Sequence, residues 1–317
     1  MMIALFSLVL AASSLEGQTD TTLAVKPGTR LGVDCHAGEI VVRAWNRDAV
    51  RIEASHSRRT SVTTERDPSM IKVRAFGRHG VPARVDYRIS VPAWMPLDLN
   101  GVSTEISVEG TRAEIRSQTV HGDVTVSGGG DFISLGSVDG DVNLSGARGR
   151  IQVNSVNEGV RVTRTVGDLL ATAVNGDVVL EQVDAKSVNA NTINGSVYFD
   201  GPFKPGGAYT LSSHQGEIVV GLPEGPNVTV SVATFSGDFS SSFPVTLTAK
   251  KGKRFVFTLG SGGARLELDC FQGSIQLLRS GEAARRLLES RHRHGDEDDP
   301  DPDDEKDEKE ERDEEDR

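Results

Sequence analysis

Six carboxylates each follow a glycine and precede an apolar residue: Glu39, Asp123, Asp141, Asp177, Glu217 and Asp238. If the glycine-headed segments stack on one another, these side chains form a column at a spacing of about 4.8 Å. Carboxylates so placed repel, and a bound Ca²⁺ would relieve the repulsion. Asp123, Asp141 and Asp177 are the candidate ligands of such a cation. The column is broken by Ser196 and by Gly159, which follows Glu158 where a glycine is due. Its spacing is also not the glycine-rich nonapeptide of calcium-binding β-rolls. The plainer account is a set of residues that open strands, with no cofactor.

The second chemical signal is a pair of cysteines in matching surroundings. Asp34–Ile40 and Asp269–Ile275 share the pattern D-C-x-x-G-x-I. Each thiol, Cys35 and Cys270, stands three residues before a glycine. Three states fit: buried free thiols, a disulfide within the chain, or one between chains. Export would permit either bond, but an uninterrupted stack would hold the two units at opposite ends. The seven histidines show no metal-ligand spacing to one another or to cysteine. His36 and His214 occupy the position two before the glycine, where most copies carry Val, Ile or Phe, and read as edge or turn residues. Basic clusters at Arg58–Arg59 and Lys250–Arg254 lack interleaved aromatics and read as solvated turns. No nucleophile elbow, phosphate loop, H-E-x-x-H or dinucleotide fingerprint is present.

What must position these residues is a repeat. The unit is glycine, a polar residue, then apolar positions two and four places after the glycine, as at Gly122, Gly140, Gly176, Gly195, Gly216, Gly237 and Gly273, with an early copy at Gly38. Including the degenerate unit at Glu158, the starts from 122 onward are 18, 18, 18, 19, 21, 21 and 36 residues apart, the last interval reading as two units with a degenerate middle. The alternation predicts half-buried strands, and a second short strand lies between successive glycines. The position three before the glycine stays small: Thr119, Ser137, Ser155, Ala173, Thr192, Ser213, Thr234, Cys270. Asp139-Gly140, Asn175-Gly176 and Asn194-Gly195 mark sharp corners. An antiparallel meander would use such pairs as hairpin turns. A parallel β-solenoid accounts better for like residues at like positions, because a unit of this size buries too few side chains to fold alone.

The expected fold is all-β: a β-solenoid, β-helix-like, of about nine coils of about 18–21 residues over residues 101–280. An N-terminal β region (23–100) precedes it. A short helix (281–294), with Ser280 as N-cap, is expected to cap the last coil. Residues 1–14 read as a signal peptide without a basic n-region, and the apolar run is too short to span a membrane. No cysteine follows it closely, against a lipoprotein anchor. The net charge of −11 is misleading: residues 295–317 hold 16 Asp/Glu and 4 Lys/Arg, leaving 30 acidic against 31 basic residues in the rest. That acidic tail has no apolar residue to bury and is expected to be disordered. The near-neutral remainder offers nucleic acid no electrostatic footprint.

The order of elements resembles a bacterial family of exported β-strand-repeat proteins labelled adhesins, a domain of unknown function. The Gly38 strand and its Trp45 segment, the junction from Val91 to Leu99, and the glycine-headed coils carry the resemblance, over about residues 25–278. It implies a β-solenoid-like fold outside the cytoplasm, in the periplasm or at the cell surface. The expected function is a non-catalytic exported scaffold that binds an unidentified protein or glycan. The alternatives are a self-assembling solenoid similar to bactofilin polymers, or a polysaccharide-acting β-helix enzyme. The outward positions Thr125, Asn143, Arg161, Val179 and Tyr198 do not supply the converging acids and bases that the enzyme needs.

Overall fold

A computed structural model describes residues 16–295 apart from 79 and 252. The expected signal peptide and residues 296–317 of the acidic tail lie outside the described residues. The described residues form 25 strands and one helix, Ser280–Gly295.

The middle of the molecule is a parallel β-solenoid. Strands Ile115–Gln118, Phe132–Ser137, Arg150–Ser155, Leu169–Thr172, Ser187–Asn194 and Ala208–Gln215 pair in parallel to make one ribbon. Strands Val124–Gly128, Val142–Ser145, Val160–Thr163, Val178–Glu181, Val197–Asp200 and Ile218–Leu222 make the other. Val142 lies between Val124 and Val160 in register, so one repeat of sequence is one coil in space. This parallel pairing excludes the meander. The inward apolar columns of the two ribbons form one continuous core, in which Val124, Val142, Val178, Val197 and Ile218 are fully buried. The degenerate unit keeps register, because Val160 pairs with Val178 as any other copy would.

Both ends depart from simple succession. Strand Arg30–Trp45 runs through both ribbons and pairs with Leu97–Thr111 on one side. On its other side lie Met70–Gly77 and Val85–Pro92, which come later in the chain. Thr60–Arg66 and Ala49–Ser57 close this end antiparallel, and Glu16–Ala24, a strand that the sequence pattern does not announce, pairs with Ala49–Ser57. The other end mirrors this. Ala264–Gln272 and Ile275–Arg279, the last strands, insert between the Ala208–Leu222 coil and the strands Val228–Ser236 and Phe239–Ser241. Arg254–Leu259 and Leu247–Lys251 then close the stack antiparallel. The 36-residue interval from Gly237 to Gly273 is therefore a hairpin excursion and return, and not two units in a row.

The helix does not cap the stack. The chain leaves its last strand one coil inside the end, on the outer face of the second ribbon. Ala283 and Leu287 therefore pack on the flank, against Val179, Tyr198 and Val219. Glu282 ties its first turn down by accepting hydrogen bonds from Ser242 Oγ (2.7 Å) and the Arg279 N–H (3.2 Å). Among the described residues no helix is long and apolar enough to cross a membrane.

Candidate functional site

The glycine corner joins the first ribbon to the second, and four columns of side chains meet there. At the glycine itself neighbouring coils touch. A Cβ on Gly140 would stand 2.1 Å from the Gly122 carbonyl oxygen, although φ at Gly140 is not left-handed. Contact between coils, rather than turn conformation, demands glycine at Gly140, whereas Gly122, Gly216 and Gly273 add a positive φ of +123° to +144° to the same contact.

Three residues earlier, the small column is a hydrogen-bond ladder. Ser137 Oγ donates to the Gly122 carbonyl (2.9 Å), Ser155 to Gly140 (3.0 Å), Thr192 to Gly176 (2.8 Å) and Ser213 to Gly195 (2.8 Å). The two cysteines take the same role: Cys270 Sγ donates to the Gly216 carbonyl (3.4 Å) and Cys35 Sγ to that of Val85 (3.6 Å). Both are free and buried, at opposite ends of the stack. Burial pushes both thiols up in pKa, which keeps them protonated and able to donate. The aspartate of each D-C pair ties its inserted coil toward the end of the stack: Asp34 to Arg74 on the adjacent parallel strand (2.9 Å) and Asp269 to Arg254 on a closing strand (2.5 Å). Burial raises the Asp34 carboxyl, but hydrogen bonds from Arg74 and Asn100 outweigh it and hold the pKa below the ordinary value.

The acidic column after the glycine is a second ladder. Asp123 Oδ1 accepts the Asp141 N–H (2.9 Å), Asp141 Oδ1 that of Gly159 (3.0 Å) and Asp177 Oδ1 that of Ser196 (2.7 Å). Each carboxylate is thus spent on the next coil's backbone, and the three do not converge. Among the described residues no group of three or more His, Cys, Asp and Glu could hold a metal ion. Just before the glycine runs an amide ladder, in which Asn175 Nδ2 donates to Asn157 (3.0 Å) and Asn194 Nδ2 to Asn175 (2.9 Å). Beside the helix this ladder walls a cleft of about 690 Å³ whose other sides include Arg161, Tyr198 and the Glu217–Arg286 ion pair.

The fourth column, two before the glycine, faces out. Because the small column is buried, strand alternation turns its neighbour to solvent. In spatial order it runs Phe76 and His36, then Val102, Val120, Val138, Val156, Val174 and Ile193, then His214, Phe271 and Phe235. Ile193 is 49% exposed, Phe271 45% and Phe235 59%. His214, Phe271 and Phe235 stack face to face with centroids 4.7 and 4.8 Å apart, and Lys253 Nζ covers the last ring at 3.4 Å. The sequence shows the apolar bias of this position but reads it as a turn, because nothing local says that the corner is open.

Several solved structures are similar to this chain. One is a putative adhesin from Parabacteroides merdae, with 10% identity, 84% of this chain and 97% of that one covered, and a TM-score of 0.45. A putative adhesin from Bacteroides fragilis has 11% identity, 82% and 97% coverage and a TM-score of 0.43. A putative lipid binding protein from Parabacteroides distasonis has 8% identity, 84% and 98% coverage and a TM-score of 0.33. No curated protein matches the chain. The model of the Toastrack domain, DUF4097, matches residues 29–278, the coils and both closing ends described above, and the chain belongs to that family of β-solenoid-like domains of unknown function.

Proposed function

We infer that this protein is an exported, non-catalytic binding scaffold of adhesin type whose binding site is the exposed edge beside the glycine corner. The observation that carries the reading is the edge itself. In most coils the other columns at the corner are explained by folding: the glycines by coil contact, the hydroxyls of Ser137, Ser155, Thr192 and Ser213 and the carboxylates of Asp123, Asp141 and Asp177 by backbone groups, the amides by one another. The outward apolar column is not, and it recurs in coil after coil at a cost in exposed apolar surface. Carboxylates that serve as backbone acceptors and do not converge support a binding role over glycan cleavage. Export rests on the apolar start of the chain.

The test is solid-phase binding of the full chain to a panel of envelope glycans, envelope proteins and lipid vesicles, beside variants Val138→Asp and Ile193→Asp. An interaction weakened by both variants, with no turnover, is expected. Cleavage of any glycan that Asp123→Ala or Asp141→Ala abolishes would overturn the reading, and so would interactions indifferent to both edge variants.

A further inference from the structure

We propose that this edge docks on an anionic lipid surface through its two ends; the proposal rests on the reading of the edge as the binding site. The two ends are alike in chemistry although they are built from unrelated segments. At one, Phe235 and Phe271 project beside Lys253, whose Nζ also donates to the Phe235 carbonyl (2.7 Å). At the other, Phe76 (48% exposed) and Val81 (65%) project near Arg58, Arg59 and Arg78, all exposed, with Arg78 and Arg59 joined through their backbones (2.9 Å). Arg254, Arg74 and Arg84 are neutralised by Asp269, Asp34 and Asp86 and add no net charge.

The middle of the edge differs. There the exposed residues are aliphatic, and no lysine or arginine flanks Val102, Val120, Val138, Val156, Val174 or Ile193 in the chain, whereas the carboxylate column three residues on runs the whole edge and does not distinguish middle from ends. Attraction to an anionic surface is therefore confined to the ends.

A bilayer interface fits this pattern better than a sugar or a protein pocket does. At the Phe235 end the rings of His214, Phe271 and Phe235 cover one another and Lys253 covers the outer face of Phe235, so neither phenylalanine there offers a sugar an open ring face. Ring edges and aliphatic side chains beside cations are what the boundary between headgroups and acyl chains accepts. Because the rod holds both ends in one piece, engagement of the second end is intramolecular once the first is bound.

The experiment is co-sedimentation of the full chain with phosphatidylcholine vesicles, with and without phosphatidylglycerol, at low and high salt. Soluble dextran sulfate serves as a competing polyanion. All variants carry the same apolar run Met1–Ala12, so its contribution cancels. One variant combines Phe235→Ser, Phe271→Ser and Lys253→Glu; another combines Phe76→Ser, Arg58→Glu and Arg59→Glu. Unchanged thermal unfolding shows that each folds. Expected are salt-sensitive binding to anionic vesicles, at least roughly tenfold tighter than to neutral ones, and roughly a tenfold loss from each end variant. Fluorescence of Phe235→Trp should move to the blue on anionic vesicles only. Equal binding to neutral vesicles, or indifference to both end variants, overturns the proposal. So does dextran sulfate that displaces the chain while the Phe235→Trp emission never shifts, which would make the ends a polyanion site. If vesicles fail but a glycan or protein still binds through the edge, the lipid proposal falls and the binding reading stands.

Discussion

Cys270 Sγ donates to the carbonyl oxygen of Gly216 at 3.4 Å, the same contact that Ser213 makes to Gly195 one coil away. A thiol and a hydroxyl thus share one job, which is to pair the carbonyl exposed where neighbouring glycines touch. Ser155→Ala removes the donor to Gly140 and should cost about 1 kcal/mol, near the net value of one hydrogen bond. The cost should be moderate because Ala173 holds this column in one natural coil. Ser155→Cys should retain most of the stability, as Cys35 and Cys270 do at the ends. Urea denaturation of the three proteins checks the order; a Ser155→Cys variant weaker than Ser155→Ala would refute the shared role.

Gly140→Ala and Gly146→Ala separate contact from conformation. Gly146 has φ +68° and nothing near its missing Cβ, so alanine there pays only for the left-handed backbone, about 1–2 kcal/mol. At Gly140 the added carbon would meet a backbone carbonyl at 2.1 Å. Relief requires one coil to move off another, at about 3 kcal/mol or more. Equal losses for the two variants in urea would show that the coils are free to separate.

These contacts also mark what the sequence makes legible. Repeat length, the apolar columns and the small column are visible because stacking forces like residues into like places. The donor role of the small column is half visible: six of its nine members carry a hydroxyl and two a thiol, but size alone accounts for the pattern equally well. The ends are not legible. Nothing in Gly38 or Gly273 says that each belongs to the penultimate coil, because insertion is set by pairing between distant strands and leaves the local alternation unchanged. The aromatic stack is hidden for the same reason, since Lys253 and Phe235 meet only when the closing hairpin folds back.

Asp141 should show no link to divalent cations. Its Oδ1 accepts the Gly159 N–H, a contact that Asp141→Asn can keep and Asp141→Ala cannot. The asparagine variant should unfold within about 0.5 kcal/mol of the parent and the alanine variant about 1 kcal/mol below it. Neither Ca²⁺ nor EDTA should move the melting temperature of any of the three. A calcium-dependent rise in the parent that Asp141→Asn abolishes would restore the cation site.

The Asp269–Arg254 pair holds the closing hairpin onto the inserted coil. The pair is partly exposed, so Asp269→Asn should lower global stability by no more than about 1 kcal/mol. Its effect should be local. Amide exchange should speed up in Arg254–Leu259 and Val228–Ser236 while the Val142–Ser145 coil is unchanged. Uniformly faster exchange along the solenoid would mean that the end is not a separate opening unit.

Asp200 should make docking of the helix sensitive to pH. It lies on the flank beneath the helix start, and a Cβ on neighbouring Gly221 would touch both its carboxyl carbon (3.0 Å) and Ala283 (3.2 Å). Burial raises its pKa, against a smaller opposing effect of a hydrogen bond with Ser280. When folded, the carboxyl keeps its proton at pH values where the unfolded chain has already lost it. The folded state then binds more protons, so this contribution is full below the ordinary carboxylate value of 3.8 and declines as pH rises through the folded pKa. Nearby Tyr198, pushed up in pKa by burial, stays neutral across that range and does not cancel the effect. Asp200→Asn removes the titration while keeping the size of the side chain. Relative to the parent, the variant should gain melting temperature as pH rises from about 4 to 7, and the amides of Ser280–Leu287 should exchange more slowly at neutral pH. Parallel pH profiles for the two proteins would show that Asp200 ionises freely with the helix in place, and that the flank is wetter than its packing implies.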